Sequence, residues 1–243
     1  MSPRTLIVFG SGPGLGSHTA SAFARQGFNH IILLARNGAR LQEDKAFVVQ
    51  NNPGVRVDTL PLDLADLPSV SSALERIDEL AGNTVEVVFF NAARARACEV
   101  FETTLEELEG DFSTMTLSLY HISSWFIPRV QTLAPTSSNP SSKPALLVTT
   151  NPLPSSPIPQ LLSLSLTKAA QANLVQNLAQ AFSGSGVKIG LIRVEGVVMP
   201  ENRVLNSKTI AERIVGFWER GEGWEVRIQE DGEPDGEGEE SVE

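Results

Sequence analysis

The amino-acid sequence predicts an α/β domain built on a single doubly wound parallel sheet. Strand-like and helix-like stretches alternate along the chain, which is typical of parallel strands joined by crossover helices. The strand-like runs, such as residues 6–9 and 31–34, are apolar at every position, as expected for strands covered by helices on both faces. A chain of 243 residues is long enough to form one such domain with a sizeable core.

The first half of the chain contains four predicted strands and three predicted helices. After the first apolar run, small and apolar side chains recur at helical spacing until Gly27, a residue type that commonly ends a helix. The turn-forming sequence Asn52-Pro53-Gly54 ends the second helix. The elements predicted in this half are strands at 5–9, 30–35, 55–60 and 86–90, and helices at 15–26, 39–50 and 69–80.

The second half continues the alternation with longer helices. A loop at 134–144 is predicted from its Pro and Ser residues, which disfavour regular structure. We find no internal repeat in this half or elsewhere. The elements predicted here are helices at 104–112, 115–130, 160–182 and 207–218, and strands at 145–150, 187–194 and 224–228.

The acidity of the chain is concentrated at its C-terminal end. Residues 229–243 contain eight acids and no base, and without them the formal net charge of −10 falls to −2. A segment rich in Gly and acids cannot bury enough apolar surface to offset the entropy of ordering. We therefore expect a folded domain over residues 1–228 and a disordered acidic tail over 229–243, with no surface for nucleic acid.

The remaining composition excludes several classes of protein. Cys98 is the single cysteine, so the chain has no internal disulfide, and no zinc motif is present. The chain lacks an apolar run of membrane-spanning length, which argues against a membrane partner. Because the first strand begins within a few residues of Met1 and follows no leader-like segment, we expect a cytoplasmic protein.

The stretch at 5–16, T-L-I-V-F-G-S-G-P-G-L-G, is typical of a nucleotide-binding turn. A buried strand ends in four glycines spread over seven residues, and a helix follows at once. Glycines let the backbone approach a pyrophosphate, and the free N–H groups and dipole of the helix face its negative charge. The sequence therefore predicts that a dinucleotide binds at the end of the first strand.

The residue that follows the second strand predicts which dinucleotide binds. Arg36 lies 20 residues after Gly16, where the residue that contacts the adenosine ribose is expected, and no acid occurs until Glu43. A guanidinium suits a 2′-phosphate, and Arg40 lies one turn further on the same helical face. We therefore expect NADP(H) as the cofactor.

Five segments match, in order and in approximate spacing, the motifs of one enzyme family. They are residues 9–16, Asp63 after the third strand, Asn91-Ala92-Ala93, Thr167-Lys168-Ala169-Ala170 and residues 186–196. On these segments the chain resembles the short-chain dehydrogenase/reductase family over nearly the whole folded region. The resemblance implies a Rossmann-type three-layer fold and an NAD(P)-binding oxidoreductase.

The resemblance also implies the cofactor contacts. Asp63 would hold the adenine amino group, Asn91 and Ala92 would line the cofactor path, and the Lys168 ammonium would bond to the nicotinamide ribose. Together with the turn and Arg36, the implied cofactor-binding residues are Gly10, Ser11, Gly14, Leu15, Gly16, Arg36, Asp63, Leu64, Asn91, Ala92, Lys168 and Val197.

The catalytic positions depart from the family pattern. The family's tyrosine lies four residues before the lysine, where this chain has Leu164, which has no ionisable proton to give. Lys168 itself is kept. The family's serine after the fifth strand matches Thr150, or Asn151 if the loop is one residue shorter. We therefore expect Lys168 and Thr150 to be the catalytic residues that are left.

Four further side chains have alternative interpretations. Thr114 is the nearest polar substitute for the family's helical asparagine, and His121 shares its helical face. His121 is either a substitute acid or a half-buried packing residue. Arg94 and Arg96 either reach an anionic substrate or are solvated loop residues. The segment 195–200 lacks the threonine that helps the family hold the cofactor's carboxamide.

Three functions are compatible with this pattern. The first is an NADP(H)-dependent oxidoreductase acting on a small organic carbonyl, imine or alcohol, of the kind found in secondary metabolism, with a proton donor other than tyrosine. The second is a biosynthetic enzyme that catalyses a non-redox step on the same scaffold. The third is a non-catalytic nucleotide-binding interaction or regulatory protein. The expected partners are a small-molecule substrate and, by analogy with the family, a second copy of the chain in a homodimer or homotetramer.

Overall fold

The computed structural model describes residues 3–131 and 142–230. In these residues the strands are β1 (Thr5–Phe9), β2 (His30–Ala35), β3 (Arg56–Pro61), β4 (Val85–Phe90), β5 (Ala145–Thr150), β6 (Lys188–Glu195) and β7 (Glu225–Gln229). The α-helices are α1 (Leu15–Arg25), α2 (Gly38–Asn51), α3 (Leu67–Ala81), α4 (Leu105–Phe112), α5 (Ser118–Val130), α6 (Leu162–Ala181) and α7 (Ser207–Arg220). Most bounds lie within two residues of the prediction.

The strands form one sheet in the order β3-β2-β1-β4-β5-β6-β7, and every neighbouring pair is parallel. The chain winds outward from β1 in both directions, so the order reverses between β1 and β4. The prediction of a doubly wound parallel sheet is confirmed. In such sheets, ligands bind at the carboxyl ends of the strands where the order reverses.

Two apolar layers cover the two faces of the sheet. Leu6 and Val8 of β1 pack with the buried side chains of α1, α2 and α7. Ile7 and Phe9 point to the opposite face and pack with α3, α5 and α6. Because both faces are covered, β1 is buried at all five positions and the carboxyl end of the strand is held rigidly.

A π-helical turn, Ser113–Leu117, joins α4 to α5 where the sequence predicts a regular helix from residue 115. The hydroxyl of Thr114 donates to the carbonyl of Gly110 at 2.7 Å, and the hydroxyl of Ser118 donates to the carbonyl of Thr114 at 2.7 Å. Such bonds compete with the helical ladder and bend helices. The turn directs the carbonyl of Met115 toward α6.

Two predicted segments fall wholly or largely outside the described residues. The loop at 134–144 is described only from residue 142, and the acidic tail only as far as residue 230. Among the helices of the described ranges, none is both long and apolar enough to cross a lipid bilayer.

Candidate active site

The glycine turn after β1 is closed tightly against the neighbouring strands. Gly10 has a φ of +83°, and a Cβ there would lie 2.5 Å from the backbone nitrogen of Ala92. A Cβ on Gly16 would lie 2.9 Å from the Cα of Ser11. Larger residues at these two positions would force the backbone apart, so the glycines are required for the turn itself.

The helix that follows the turn begins without a capping side chain. Gly14 is its N-cap residue and forms no side-chain bond to the first turn. A Cβ on Gly12 would meet no heavy atom within 4 Å, so the turn is open on that side. Uncapped N–H groups and the positive end of the helix dipole are suited to a phosphate.

A cavity of about 300 Å³ lies at the carboxyl ends of β1, β2 and β4. It brings together residues that are far apart in the sequence, at the point where the strand order reverses. The predicted cofactor-binding residues that line it are Gly10, Ser11, Arg36, Asp63, Leu64, Asn91 and Ala92. Gly14, Leu15, Gly16, Lys168, Val197 and the catalytic candidate Thr150 do not line it.

Arg36 and Arg40 give the cavity its positive charge. Arg36 is exposed, and its guanidinium has no ion pair or hydrogen bond within residues 3–131 and 142–230. Arg40 instead forms an ion pair with Glu43 at 2.8 Å, with Nη1 as the donor. Arg36 is therefore the more available cation for an anionic ligand.

A buried carboxylate that the sequence analysis missed lies behind the turn. The hydroxyl of Ser11 donates to Oδ2 of Asp44 on α2 at 2.7 Å, and Asp44 is 2% exposed. Burial raises the pKa of the Asp44 carboxyl, against the lowering effect of the bond from Ser11. The only hint in the sequence was an acid three residues after the apolar Leu41 of the same helix.

Asn91 connects the turn to the strand beside it. Its side-chain nitrogen donates to the carbonyl of Gly10 at 3.2 Å, and its side-chain oxygen accepts a bond of 2.9 Å from the hydroxyl of Thr149. Its backbone nitrogen also donates to the carbonyl of Phe9 at 2.8 Å. The Asn91 side chain thus helps to fix the shape of the turn.

Lys168 is buried and bonded within the protein. Its ammonium nitrogen donates to the carbonyl of Thr149 at 2.9 Å and to Oε1 of Gln171 at 2.8 Å, and the residue is 3% exposed. Burial lowers the pKa of the Lys168 ammonium to about 7. Gln171 in turn donates to the carbonyl of Met115 in the π-helical turn at 2.6 Å. Gln171 was not among the predicted site residues, although its position three residues after Lys168 places both side chains on one helical face.

An apolar cluster surrounds the position where the family has its tyrosine. Leu164 is 6% exposed and packs with Met115 and Leu153, and Leu161 packs against the same cluster. These side chains carry no group that can give or take a proton. The cluster around Leu164 therefore shapes this region and excludes water from it, and it supplies no acid or base.

Thr150 has a free hydroxyl at the end of β5. Its Oγ1 is buried and has no hydrogen-bond partner among the described residues. The alternative at this position, Asn151, uses its side-chain oxygen to accept a bond from the backbone nitrogen of Leu153 at 3.1 Å. An unpartnered buried hydroxyl costs free energy, so Thr150 has an unused hydrogen-bonding group at the end of β5.

Two arginines of the loop after β4 are paired with acids of α4. Arg94 lines the cavity, but its Nε lies 3.2 Å from Oδ1 of Asp111. The other carboxylate oxygen of Asp111, Oδ2, accepts a bond of 2.6 Å from the hydroxyl of Ser163. Arg96 forms an ion pair with Glu107. Both arginines therefore tie the loop after β4 to α4. The sequence analysis did not identify Asp111 or Glu107 as their partners.

The other candidates occupy different places. Thr114 lines the cavity, although its hydroxyl is bonded to the carbonyl of Gly110. His121 lies with Nε2 3.5 Å from the hydroxyl of Ser71 on α3 and does not line the cavity. Val197 is 72% exposed and lines a second, more open cavity beside the ends of β6 and β7.

This arrangement fits a nicotinamide dinucleotide. The glycine turn leaves space that side chains would fill, α1 begins without a cap, and Arg36 has no partner in the described part of the chain. These are the features that a pyrophosphate and a 2′-phosphate need. The comparisons with known proteins agree with this geometry at the level of the fold.

Two solved structures of low sequence identity share the fold. An alcohol dehydrogenase from Thermococcus sibiricus, complexed with 5-hydroxy-NADP, is 21% identical with a TM-score of 0.79, and the match covers 96% of this chain and all (100%) of that one. An NADPH-bound short chain oxidoreductase from Pseudomonas aeruginosa, described as containing an atypical catalytic center, is 19% identical with a TM-score of 0.78. That match covers 96% of this chain and 98% of the other.

Sequence comparison supports the same assignment. The short-chain dehydrogenase TIC 32 B, chloroplastic, of Brassica napus is 27% identical over 130 residues, which are 54% of this chain and 39% of the relative. The chain thus spans about two fifths of the length of the first curated relatives it matches. The family model for short chain dehydrogenases matches residues 4–208, which include six of the seven strands. The chain therefore belongs to the short chain dehydrogenase family.

Proposed function

We propose that the protein is an NADP(H)-dependent oxidoreductase that acts on a small organic carbonyl, imine or alcohol without a tyrosine proton donor. The observation that carries this proposal is the cavity in which the glycine turn, Arg36, Asp63 and Asn91 lie together. A solved relative of the same fold is described as holding NADPH beside an atypical catalytic center. An atypical catalytic center is therefore compatible with NADPH binding on this fold.

The residues of the chain divide into those that bind the cofactor and those that face the chemistry. The turn and the start of α1 would receive the pyrophosphate, and Arg36 would pair with the 2′-phosphate. Asp63 would take the adenine end, since one of its carboxylate oxygens already accepts a bond from the backbone nitrogen of Ala65 at 3.0 Å and fixes its direction. When bound, NADP(H) would supply or accept the hydride.

The groups that would lie near the nicotinamide end of the cofactor favour a substrate that needs little acid assistance. The Thr150 hydroxyl has no partner among the described residues and would hydrogen-bond a carbonyl or imine nitrogen. Lys168 uses two of its three N–H donors within the protein. Leu164 and Leu153 exclude water from this region. A cationic imine suits these groups, because hydride addition turns it into a neutral amine and the step needs no proton donor.

The apolar cluster also favours a second candidate, a protein that binds NADP(H) without turning it over. Leu164, Leu153 and Met115 fill the space beside Lys168, and the lysine is satisfied by Thr149 and Gln171. A site arranged in this way can hold a nucleotide without reacting with it, and a partner protein could then bind the nucleotide-loaded form. The two candidates share the cofactor and differ in whether hydride transfer occurs.

We also propose that two copies associate through α5 and α6. On α6 the single charged residue is Lys168, which is buried, so the exposed face of that helix carries no charge. Leu117, Tyr120 and Leu166 are 47%, 60% and 43% exposed. Uncharged helical faces with exposed large side chains are typical of interfaces. A cytoplasmic location and a domain over residues 1–228 stay predictions.

The experiment that tests the function has two stages. The purified protein is titrated with NADPH, NADP⁺, NADH and NAD⁺ by calorimetry, and it is then assayed for NADPH oxidation with diones and cyclic imines. Tight binding of NADPH over NADH supports the cofactor assignment, and turnover separates the enzyme from the binding protein. Absence of binding by all four nucleotides would contradict both candidates.

A further inference from the structure

The buried carboxylate behind the glycine turn has no cationic bonding partner in the described part of the chain. Oδ2 of Asp44 accepts a bond of 2.7 Å from the hydroxyl of Ser11, and 2% of the residue is exposed. Ser11 lines the cavity, whereas Asp44 does not. Buried aspartates are uncommon unless they are paired with a base. The contact with Ser11 gives this carboxylate a direct connection to the ligand-facing surface.

The direction of this hydrogen bond decides what Ser11 can offer a ligand. A serine hydroxyl has one proton and two lone pairs. When its proton is donated to ionised Asp44, the oxygen presents only lone pairs to the cavity. A ribose hydroxyl can donate to those lone pairs, but a phosphate dianion has no proton to donate and is repelled by the carboxylate charge.

Protonation of Asp44 allows the hydrogen bond with Ser11 to run in the opposite direction. A neutral carboxyl can donate its own proton to the Ser11 oxygen, which leaves the serine proton available to a phosphate. The negative charge behind the turn also disappears. Arg36 and Arg40 line the same cavity as Ser11, so a phosphate drawn to them would lie in the field of Asp44.

We propose that Asp44 is a positioning residue that couples the choice between NADPH and NADH to its own protonation. Its ionised form turns the Ser11 hydroxyl away from the cavity and disfavours a 2′-phosphate, and its neutral form accepts one. This inference rests on the proposed function, because it requires that the cavity binds NADP(H). It adds a residue from α2 to the determinants of cofactor choice.

Burial and the charges around Asp44 act on its pKa in opposite directions. Burial raises the pKa of the Asp44 carboxyl, Glu43 raises it further, and Ser11 and Arg40 lower it. An anion bound at Arg36 would raise this pKa again. The titratable groups on the elements packed against α2 are His18 and Arg25 on α1, His30 on β2, and Arg56 and Asp58 on β3. Of these, His30 and Arg56 both bond to Asp58.

The test compares nucleotide affinity in the wild type and in Asp44→Asn between about pH 5 and about pH 8. The amide nitrogen of asparagine can donate to the Ser11 oxygen, as a neutral carboxyl does, so the substitution removes the charge and keeps the contact. The measured quantity is the ratio of the two proteins' affinities at each pH. Taking the ratio cancels the ionisation of the 2′-phosphate itself, which has a second pKa of about 6.

For NADPH we expect this ratio to rise from about one at low pH to about ten at high pH, in favour of Asp44→Asn. For NADH we expect it to stay about one throughout. The control is Glu79→Gln, which removes a 63% exposed carboxylate of α3 that pairs with Arg76 and does not line the cavity. Its ratio should stay about one at every pH, because Glu79 is not among the charges that act on Asp44.

A second variant keeps the test informative if the first folds poorly. Ser11→Ala retains the Asp44 charge and removes the hydroxyl, so it should weaken NADH binding. Its NADPH affinity relative to wild type should be lowest at low pH, where the wild-type hydroxyl would donate to the phosphate. The role of Asp44 would be overturned if the ratio of the Asp44→Asn affinity to the wild-type affinity for NADPH did not change between low and high pH. It would also be overturned if the same ratio for NADH rose with pH as much as that for NADPH. Failure of the wild type to bind either nucleotide would instead contradict the proposed function, and this inference with it.

Discussion

The side-chain nitrogen of Lys168 lies 2.8 Å from Oε1 of Gln171, one helical turn later on α6, and both residues are buried. Gln171 in turn bonds to the carbonyl of Met115 in the π-helical turn. A neutral amide satisfies the ammonium protons but supplies no opposite charge to replace lost hydration. For this reason burial lowers the pKa of the Lys168 ammonium to about 7.

The pKa of Lys168 leads to a prediction about stability. In the folded protein this pKa is about 7, and its ordinary value is 10.5, so the unfolded chain binds more protons between these pH values. The free energy of unfolding therefore gains a contribution that rises with pH over this range. Lys168→Met removes the contribution. Between about pH 7 and about pH 10, the free energy of unfolding of the variant should fall by about 4 kcal/mol relative to that of the wild type.

Urea unfolding at several pH values checks this prediction. Lys208→Met, which removes an exposed lysine from α7, is the control, and its difference from wild type should not vary with pH. A constant difference for Lys168→Met as well would show that the lysine titrates normally in the folded protein.

Arg36 should select the cofactor. Arg36→Ala removes a charge-assisted contact of roughly 1.5–3 kcal/mol with the 2′-phosphate. NADPH should therefore bind about ten- to a hundredfold more weakly, and NADH should be almost unaffected. Calorimetric titration of both cofactors measures this. The control is Arg76→Ala, which removes an exposed arginine of α3 that does not line the cavity and should change neither affinity. Equal losses of affinity for NADPH and NADH in Arg36→Ala would refute the assignment.

Leu164→Tyr should restore acid–base chemistry. It places a phenol one turn before Lys168 on the same face of α6, where an ammonium lowers the phenol's pKa. We expect faster NADPH oxidation with a reactive dione than in wild type. The ring must enter the cluster of Met115 and Leu153, and such overpacking costs about 1–3 kcal/mol.

The matched control is Leu164→Phe, which has nearly the same size and no hydroxyl. NADPH binding by both variants, with equally slow oxidation, would favour the nucleotide-binding protein over the enzyme. Rapid turnover of simple ketones by the wild type, with a bell-shaped pH profile, would instead reveal an acid that the present account of the site omits.

The uncharged faces of α5 and α6 should hold two copies together. Leu166→Glu places a charge among exposed side chains that would be buried in such an interface, and a buried unpaired charge is strongly unfavourable. The wild type should sediment as a dimer or tetramer and Leu166→Glu as a monomer. Val49→Glu, at an exposed apolar position on α2, should leave the mass unchanged. A monomeric wild type at all concentrations would exclude this interface.

The sequence was sufficient for the order and type of the elements because the signals are local. Runs of four and five consecutive apolar residues, 6–9 and 31–35, mark β1 and β2, and side-chain caps at Asn37 and Asp66 begin α2 and α3. The π-helical turn was not predicted. It depends on side-chain bonds from Thr114 and Ser118 to the backbone, and a regular helix has the same apolar pattern.

The candidate site was predictable to a smaller extent. The glycine turn and Arg36 stand at fixed distances from strands, so their place in the cavity follows from the fold. Asp44 and Gln171 matter through partners that lie 33 and 56 residues away in the sequence. The spacing of residues on one helix does not reveal such contacts, because they depend on how two elements pack.

The central position of β1 has a consequence for synthesis of the chain. β1 can pair with β2 once residues 30–35 have emerged from the ribosome, but its second edge waits for β4, Val85–Phe90. At roughly 5–20 residues per second, this wait lasts several seconds. An apolar strand with an open edge is a template for intermolecular pairing. Nascent chains stalled before Val85 therefore depend on chaperones to avoid aggregation.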